Sequence, residues 1–151
     1  MIDGIDRSIL RHLKEDGRIT ATALASKVGL TVAPCHRRLR DLEQSGVIRG
    51  YRADIDPAAV GLGFEAIVFV TLQRADRATM AAFEARVAAS SNIVEAQRLF
   101  GSPDYLLKVI AADLPAYQRF YDDELAALPA VERLTSTLVM KNLKTNIGPP
   151  V

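Results

Sequence analysis

The sequence predicts an α+β protein with an N-terminal three-helix winged helix-turn-helix domain and a C-terminal ferredoxin-like domain of order β-α-β-β-α-β. Three observations support this prediction. Two short amphipathic helical patterns meet at Gly29, and alternating strand patterns begin after Gly61. The charge is also unevenly distributed, because residues 1–53 hold ten Lys and Arg against six Asp and Glu.

The composition is that of an ordinary globular protein, with 49% hydrophobic and 25% charged residues, which argues against a disordered chain. No apolar run approaches the roughly 20 residues that cross a bilayer. The N-terminal residues also lack the basic and then apolar pattern of a signal peptide. The single Cys35 cannot form an internal disulfide, which suits a reducing compartment. We therefore expect a cytoplasmic protein with no membrane partner.

Three helices are predicted within residues 1–53, over about 3–16, 20–28 and 31–46. Asp3 or Asp6 can cap the first helix. Gly29 supplies the left-handed residue that ends the second helix. Thr31 is predicted to cap the third helix with its hydroxyl, and Pro34 lies in the first turn, where a missing N–H costs nothing. The last two helices then have helix-turn-helix geometry, in which the third helix enters the major groove of DNA.

The third helix separates its apolar residues from its basic ones. At about 100° per residue, one stripe is apolar and is expected to pack on the other helices: Val32, Cys35, Leu39 and Leu42. The remaining side carries the candidate DNA contacts: Thr31, Ala33, His36, Arg37, Arg38 and Arg40. We interpret this side as a DNA-binding face, with a solvated charged face as the alternative.

The alternation in residues 47–53 predicts a short strand, the wing, in which Arg49 and Arg52 are available for DNA phosphates. Residues 54–61 are predicted to be a hinge, in which Asp56 caps a single turn that Gly61 closes. The predicted domains are therefore 1–53 and 62–151.

The second domain is predicted to contain four strands, over 64–72, 93–100, 105–111 and 131–143, and two helices, over 76–89 and 113–128. Both helices should lie on one face of an antiparallel sheet. Ile67 and Phe69 alternate with Val68 and Val70 in the first strand, so that strand is apolar on both faces. A second copy of the same sheet is the simplest cover for the other face, and we therefore expect a homodimer.

The turn between the second and third strands is a candidate ligand site that comprises Gly101, Ser102, Pro103, Asp104 and Tyr105. Glycine permits close approach of the backbone to a ligand, and Ser102 offers a hydroxyl. Asp104 offers a carboxylate that can hold an α-ammonium group. The alternative is a plain hairpin in which Asp104 caps its own backbone.

Nothing in the sequence points to catalysis, a metal or a cofactor. Both histidines, His12 and His36, fall in predicted helices, and no Cys, His and Asp cluster has metal-ligand spacing. No glycine-rich loop follows a strand in the way that phosphate binding requires. Residues 122–124 are acidic, but consecutive helical residues point in different directions, which favours a solvated face over a cation site.

Taken in order, these motifs resemble the Lrp/AsnC family, the leucine-responsive and asparagine-responsive (feast/famine) transcription regulators. The resemblance covers nearly the whole chain and rests on segments at 5–10, 16–18, 24–25, 28–30, 38–43, 46–48, 50–51, 101 and 104–107. It implies a DNA-binding domain, a hinge and a ligand-sensing domain. It also implies homodimers that assemble into tetramers or octamers, and a small effector, usually an amino acid, bound near residues 101–105.

We therefore expect a nucleoid-associated transcription regulator that binds double-stranded DNA in a sequence-specific manner and is tuned by a small effector. One alternative is an architectural protein that organises the nucleoid without an effector. A less favoured alternative is an amino-acid-binding regulatory subunit of an enzyme, against which the basic helix-turn-helix argues.

Overall fold

The computed structural model describes residues 2–145 and 148–151, which divide into two compact units. The second unit is Ile55–Leu143, and the first unit is the remainder, including Lys144–Val151. The predicted second domain, 62–151, included this C-terminal segment. Its described part instead groups with the first unit, where the Lys14 Nζ donates a hydrogen bond to the Pro149 carbonyl oxygen at 2.7 Å. Asn146 and Ile147, which fall in the predicted 62–151 domain, lie outside the described residues.

Three helices form the first unit: α1 (Gly4–Glu15), α2 (Ala21–Lys27) and α3 (Val32–Gln44). All three predicted helices are confirmed. The Asp3 carboxylate accepts from the Asp6 N–H at the start of α1, and the Thr20 hydroxyl accepts from the Ala23 N–H at the start of α2. The buried faces meet in one cluster: Ile9, Leu24, Ala25, Cys35 and Leu42.

Two local predictions in this unit are wrong. Thr31 is the N-cap residue of α3, but its side chain makes no capping hydrogen bond. Residues 47–53 form no strand, since no strand of the described residues pairs with them. A strand needs a neighbour to take up its backbone N–H and C=O groups. Gly50, at φ 147°, also interrupts any regular extended path.

The second unit has the predicted order of strands and helices: β1 (Phe64–Leu72), α4 (Arg77–Ala89), β2 (Ile93–Arg98), β3 (Tyr105–Ala111), α5 (Leu114–Phe120) and β4 (Val131–Leu138). The sheet is antiparallel in the order β2-β3-β1-β4. A 3₁₀ turn at Ala58–Val60 precedes it, with the Asp56 carboxylate accepting from the Ala58 N–H. The ferredoxin-like prediction is confirmed.

Three element boundaries differ from the predictions. β2 ends at Arg98 and β4 at Leu138, a few residues earlier than expected. α5 ends at Phe120, and a π-helical turn, Tyr121–Leu125, continues its path. Leu125 is fully buried, so this turn still contributes to the core.

The two faces of the sheet have different surroundings. Val68 and Val70 are fully buried in a cluster with Phe83 of α4 and Phe120 of α5, so both helices cover that face. The alternate residues of β1 lie on the other face, which we call the open face. Across the registered strands its main members are Glu65, Ile67, Phe69, Leu106, Lys108, Ile110, Thr135 and Thr137.

Tyr105 begins β3 with its side chain on the helix-covered face. Its ring lies 4.5 Å from that of Phe83, centroid to centroid, and its hydroxyl donates to Glu84 Oε1 at 2.8 Å. Burial, and second the hydrogen bond to Glu84, raises the pKa of Tyr105 to about 12. The neutral phenol is therefore the form that the folded unit favours.

Replacing Tyr105 with Phe should change how stability depends on alkaline pH. The contribution of the raised pKa is complete below pH 10.0 and is lost as the pH rises to about 12. We expect the free energy of unfolding of the wild type to fall more steeply across this window than that of Tyr105→Phe, measured by urea denaturation with circular dichroism. Tyr51→Phe is a second test in the first unit: burial also raises the pKa of Tyr51 to about 12, so this variant should likewise lose less stability than the wild type across the window. If the free energies of unfolding of the wild type and of Tyr105→Phe fall in parallel with pH, the pKa of Tyr105 is not raised in the folded protein.

Candidate DNA-binding surface and effector-binding turn

The outer side of α3 is an exposed surface bearing two arginines. Cys35 and Leu42 are buried on the inner side of the helix, so Arg37 and Arg40 point outward. The predicted residues Ala33 and His36 are exposed along the same side, whereas Thr31 is exposed at the N-cap, at the end of the helix. The structure thus brings four of the six predicted α3 residues together on one surface.

The exposed arginines differ in their surroundings. The Arg40 Nη2 lies 3.4 Å from the His36 Nδ1, one helical turn away. Within the described residues, Arg37 makes no side-chain hydrogen bond and no ion pair, so its five N–H donors face solvent. Such a guanidinium is available for a bidentate contact with guanine or for a phosphate.

Arg38 is placed differently from the other predicted α3 residues. Its Nη1 lies 2.7 Å from the Asp3 Oδ2 and 2.8 Å from the Asp6 Oδ1, and its side chain is 30% exposed. The Asp6 N–H, and after it the Arg38 guanidinium, holds the pKa of Asp3 below its usual value. These two acids were not predicted as partners of Arg38, although their spacing of three residues at a helix start is typical of a capping box.

The predicted phosphate contacts Arg49 and Arg52 lie on the irregular segment that follows α3, and both are exposed. Two neighbouring residues hold this segment in place. Ile48 packs on the helical core, and the Tyr51 hydroxyl donates to the Glu43 Oε1 at 2.9 Å. Arg49 and Arg52 therefore lie on an anchored loop rather than on a paired wing.

The predicted effector turn leads into β3. Gly101 has φ 138°, a conformation that favours glycine, and the Ser102 side chain is exposed. Pro103 and Asp104 are half-buried. Among the described residues the Ser102 hydroxyl has no hydrogen-bond partner, which leaves it free to meet a ligand.

Asp104 joins this turn to the end of β1. Its Oδ2 accepts from the Leu72 N–H at 2.8 Å, and its own N–H donates to the Val70 carbonyl oxygen at 2.9 Å. The carboxylate therefore bridges to a neighbouring strand and does not cap its own turn. Its other oxygen makes no hydrogen bond within the described part of the chain.

Tyr105 is not brought together with the exposed groups of the turn. Residues alternate across β3, and the side chain of Tyr105 lies in the core under α4. The turn therefore presents Gly101, Ser102, Pro103 and Asp104 to solvent or to a neighbouring chain, without the phenol.

Other kinds of site find no support in residues 2–145 and 148–151. No group of three or more His, Cys, Asp and Glu side chains there could hold a metal ion. No helix of that part is both long and apolar enough to cross a membrane. Cys35 is fully buried, and burial raises the pKa of its thiol.

Two family models together match most of the chain. Residues 2–49 match a winged helix-turn-helix DNA-binding model, and residues 65–149 match the Lrp/AsnC ligand binding domain. The leucine-responsive regulatory protein of Rhizobium meliloti is 41% identical over 143 residues, which are 95% of this chain and 92% of that protein. The DNA-binding transcriptional activator DecR of Escherichia coli K12 is 33% identical over 151 residues, covering 100% and 99%.

Solved structures agree with these matches. A transcriptional regulator of Neisseria meningitidis, crystallised as a complex with L-methionine, superposes with a TM-score of 0.91 at 34% identity and covers 96% of this chain and 94% of its own. Escherichia coli AsnC superposes with a TM-score of 0.87 over 96% of each chain, and at 22% identity it supports the fold alone.

Proposed function

Since this chain belongs to the Lrp/AsnC family of transcription regulators, we propose that it binds specific DNA sequences through α3 and that an amino acid tunes this binding. The observation that carries the proposal is the exposed outer side of α3, where Arg37 and Arg40 lie opposite the buried Cys35 and Leu42. A helix presented in this way can enter the major groove. A regulator of this kind acts in the cytoplasm, in association with the nucleoid.

One DNA-binding unit has little charge with which to hold DNA. The basic excess of residues 1–53 is small, and Arg38 is already paired with two acids. Because affinity rises with the number of phosphates neutralised, tight binding requires two linked copies. A two-fold dimer would place two α3 helices about one DNA turn apart on a pseudo-palindromic site.

The open face of the sheet is the surface on which we place the second copy. Ile67, Phe69 and Leu106 are only half-buried in the single chain. A second sheet against them would remove this apolar surface from water, and a two-fold axis lets the same patch serve both copies. Further assembly to tetramers or octamers would bring more half-sites together.

The turn at Gly101–Asp104 is where we place the effector. Asp104 has one oxygen fixed by the Leu72 N–H, so the remaining oxygen is held in a defined direction and can accept from an α-ammonium group. The exposed Ser102 hydroxyl is a second polar contact. The complex of the Neisseria regulator with L-methionine supports an amino acid as the ligand class. No cofactor enters this proposal.

Replacing Arg37 with Ala should weaken sequence-specific binding. The probe is a duplex that the wild type selects from a randomised library, compared with a scrambled duplex by fluorescence anisotropy. We expect a loss of about 1–3 kcal/mol for the selected duplex, the value of a bidentate base contact. Arg52→Ala should instead weaken both duplexes and flatten the salt dependence. Arg86→Ala, an exposed arginine of α4, is the control. Unchanged affinity of Arg37→Ala for the selected duplex would show that this side of α3 does not read DNA.

Replacing Phe69 with Lys should produce monomers, because it buries a charge in the proposed contact between sheets. Light scattering measures the assembly, and binding of the selected duplex should fall with it. Ala85→Lys, on the exposed side of α4, is the matched control and should leave assembly intact. If light scattering gives the Phe69→Lys assembly the same molar mass as the wild-type assembly, the open face is not the contact between copies. The alternate residues Val68 and Val70 are unsuitable for the test, since both are fully buried under the helices.

Asp104→Asn should reduce effector binding while the fold is kept, because an amide oxygen can still accept from the Leu72 N–H. A thermal-shift panel of amino acids that includes L-methionine and L-leucine first identifies a ligand, and calorimetry then compares the variants. We expect affinity to fall about ten- to a hundred-fold, the value of a charge-assisted bond. Asp113→Asn removes a charge from the N-cap of α5 and should bind normally. Normal binding by Asp104→Asn would place the site elsewhere. If no amino acid raises the melting temperature of the wild type, the alternative of an architectural protein without an effector is favoured.

A further inference from the structure

Arg38 connects the middle of α3 to the first turn of α1. One guanidinium nitrogen, Nη1, bridges the Asp3 Oδ2 and the Asp6 Oδ1 at 2.7 and 2.8 Å. The side chain of Asp6 is 14% exposed and that of Arg38 is 30% exposed, so this contact is partly shielded from water. Ion pairs that are partly buried and hydrogen-bonded restrict geometry more than exposed pairs do.

The capping box at the start of α1 orders Asp3 and Asp6 independently of Arg38. The Asp3 Oδ1 accepts from the Asp6 N–H at 2.9 Å, and the Asp6 Oδ2 accepts from the Asp3 N–H at 3.0 Å. This capping box uses one oxygen of each carboxylate, and Arg38 uses the other oxygen of each. All four carboxylate oxygens are therefore engaged, and the acceptor pair presented to Arg38 is rigid.

The position of Arg38 on the helix links this contact to the DNA-binding surface. Arg37 precedes it and Arg40 follows two residues later, both on the outer side of α3. A helix moves as one body, so a rotation of α3 that displaces Arg38 also displaces the outer arginines. At a radius of about 6 Å, a rotation of roughly 10° moves a side chain by about 1 Å. A displacement of that size is enough to misalign a bidentate contact.

We propose that Arg38 is a positioning residue for DNA recognition: it fixes α3 on the Asp3 and Asp6 capping box at the angle from which Arg37 and Arg40 reach base edges, and it does not contact DNA itself. This inference rests on the proposed function. It separates the basic residues of α3 into two that face the groove and one that holds the helix in place.

The first test compares Arg38→Ala with the wild type on a selected duplex and on a scrambled duplex over a range of salt concentrations. We expect affinity for the selected duplex to fall about tenfold, the size of one lost base contact. Affinity for the scrambled duplex should fall much less, by the long-range effect of one lost charge only. The slope of log affinity against log salt should stay at its wild-type value. A phosphate contact would behave differently, since both duplexes would weaken and the slope would decrease by about one. That result would overturn the proposal.

The second test removes the two negative charges that Arg38 contacts, a change for which a net-charge effect and a positioning role predict opposite results. The double variant Asp3→Asn with Asp6→Asn keeps good capping residues, because Asn caps as well as Asp. Removing two negative charges should strengthen binding to every duplex if only the net charge matters. The positioning role predicts weaker binding to the selected duplex alone. A parallel gain for both duplexes would overturn the proposal.

Arg38→Lys is the rescue variant, because an ammonium keeps the charge but cannot match the planar guanidinium. We expect its affinity for the selected duplex to lie between those of Arg38→Ala and the wild type.

Circular dichroism melts check that each variant is folded. If Arg38→Ala is unfolded, the double variant Asp3→Asn with Asp6→Asn alone tests the positioning role. A wild type that selects no duplex defeats the proposed function. A wild type that selects a duplex which all these variants bind equally well overturns only the role of Arg38.

Discussion

The apolar stripe of α3 is the constraint on which the DNA-binding surface depends. Cys35 and Leu42 are buried in the cluster that α1 and α2 complete, and burial of a leucine side chain alone contributes about 1.5–3 kcal/mol of stability. No other rotation of the helix about its axis would keep these side chains out of water. The same rotation places Arg37 and Arg40 outside, so the packing of the core also determines which side chains can reach DNA.

In the second unit, the sheet likewise has one face that is buried and one that is not. Its two helices cover one face, where Val68, Val70 and Phe83 are fully buried, and neither helix covers the open face. Ile67 and Phe69 on that face are what a second copy would bury. At one end of the sheet Asp104 joins the turn to β1 through the Leu72 N–H, so an effector bound there would contact a segment fixed to the central strand. In the proposed regulator, binding at this turn would shift assembly, which in turn would set how many half-sites one particle holds.

The sequence predicted what local patterns determine. β1 and β3 were predicted with the bounds they have, because each is a short apolar run that ends near turn residues or a helix start. The predicted helices 20–28 and 76–89 begin at Thr20 and Asp76, which the structure shows to be N-cap residues. Contacts between distant segments could not be predicted in this way. The bonds from Arg38 to α1 and from Asp104 to Leu72 each join residues more than 30 positions apart. The missing strand at 47–53 has the same cause, since pairing depends on a neighbour that a local pattern does not reveal.

Site-directed cleavage of DNA tests whether α3 lies in the major groove. Ala33 is exposed near the start of α3, and an Ala33→Cys protein can carry an iron chelate that cleaves DNA. Cys35 should stay unlabelled, because it is fully buried and burial raises the pKa of its thiol; wild-type protein treated with the reagent is the control. If α3 of each subunit of a dimer lies in the major groove, we expect cleavage of a selected duplex at two positions about one helical turn apart. Absent cleavage, or even cleavage along the whole duplex, would contradict it.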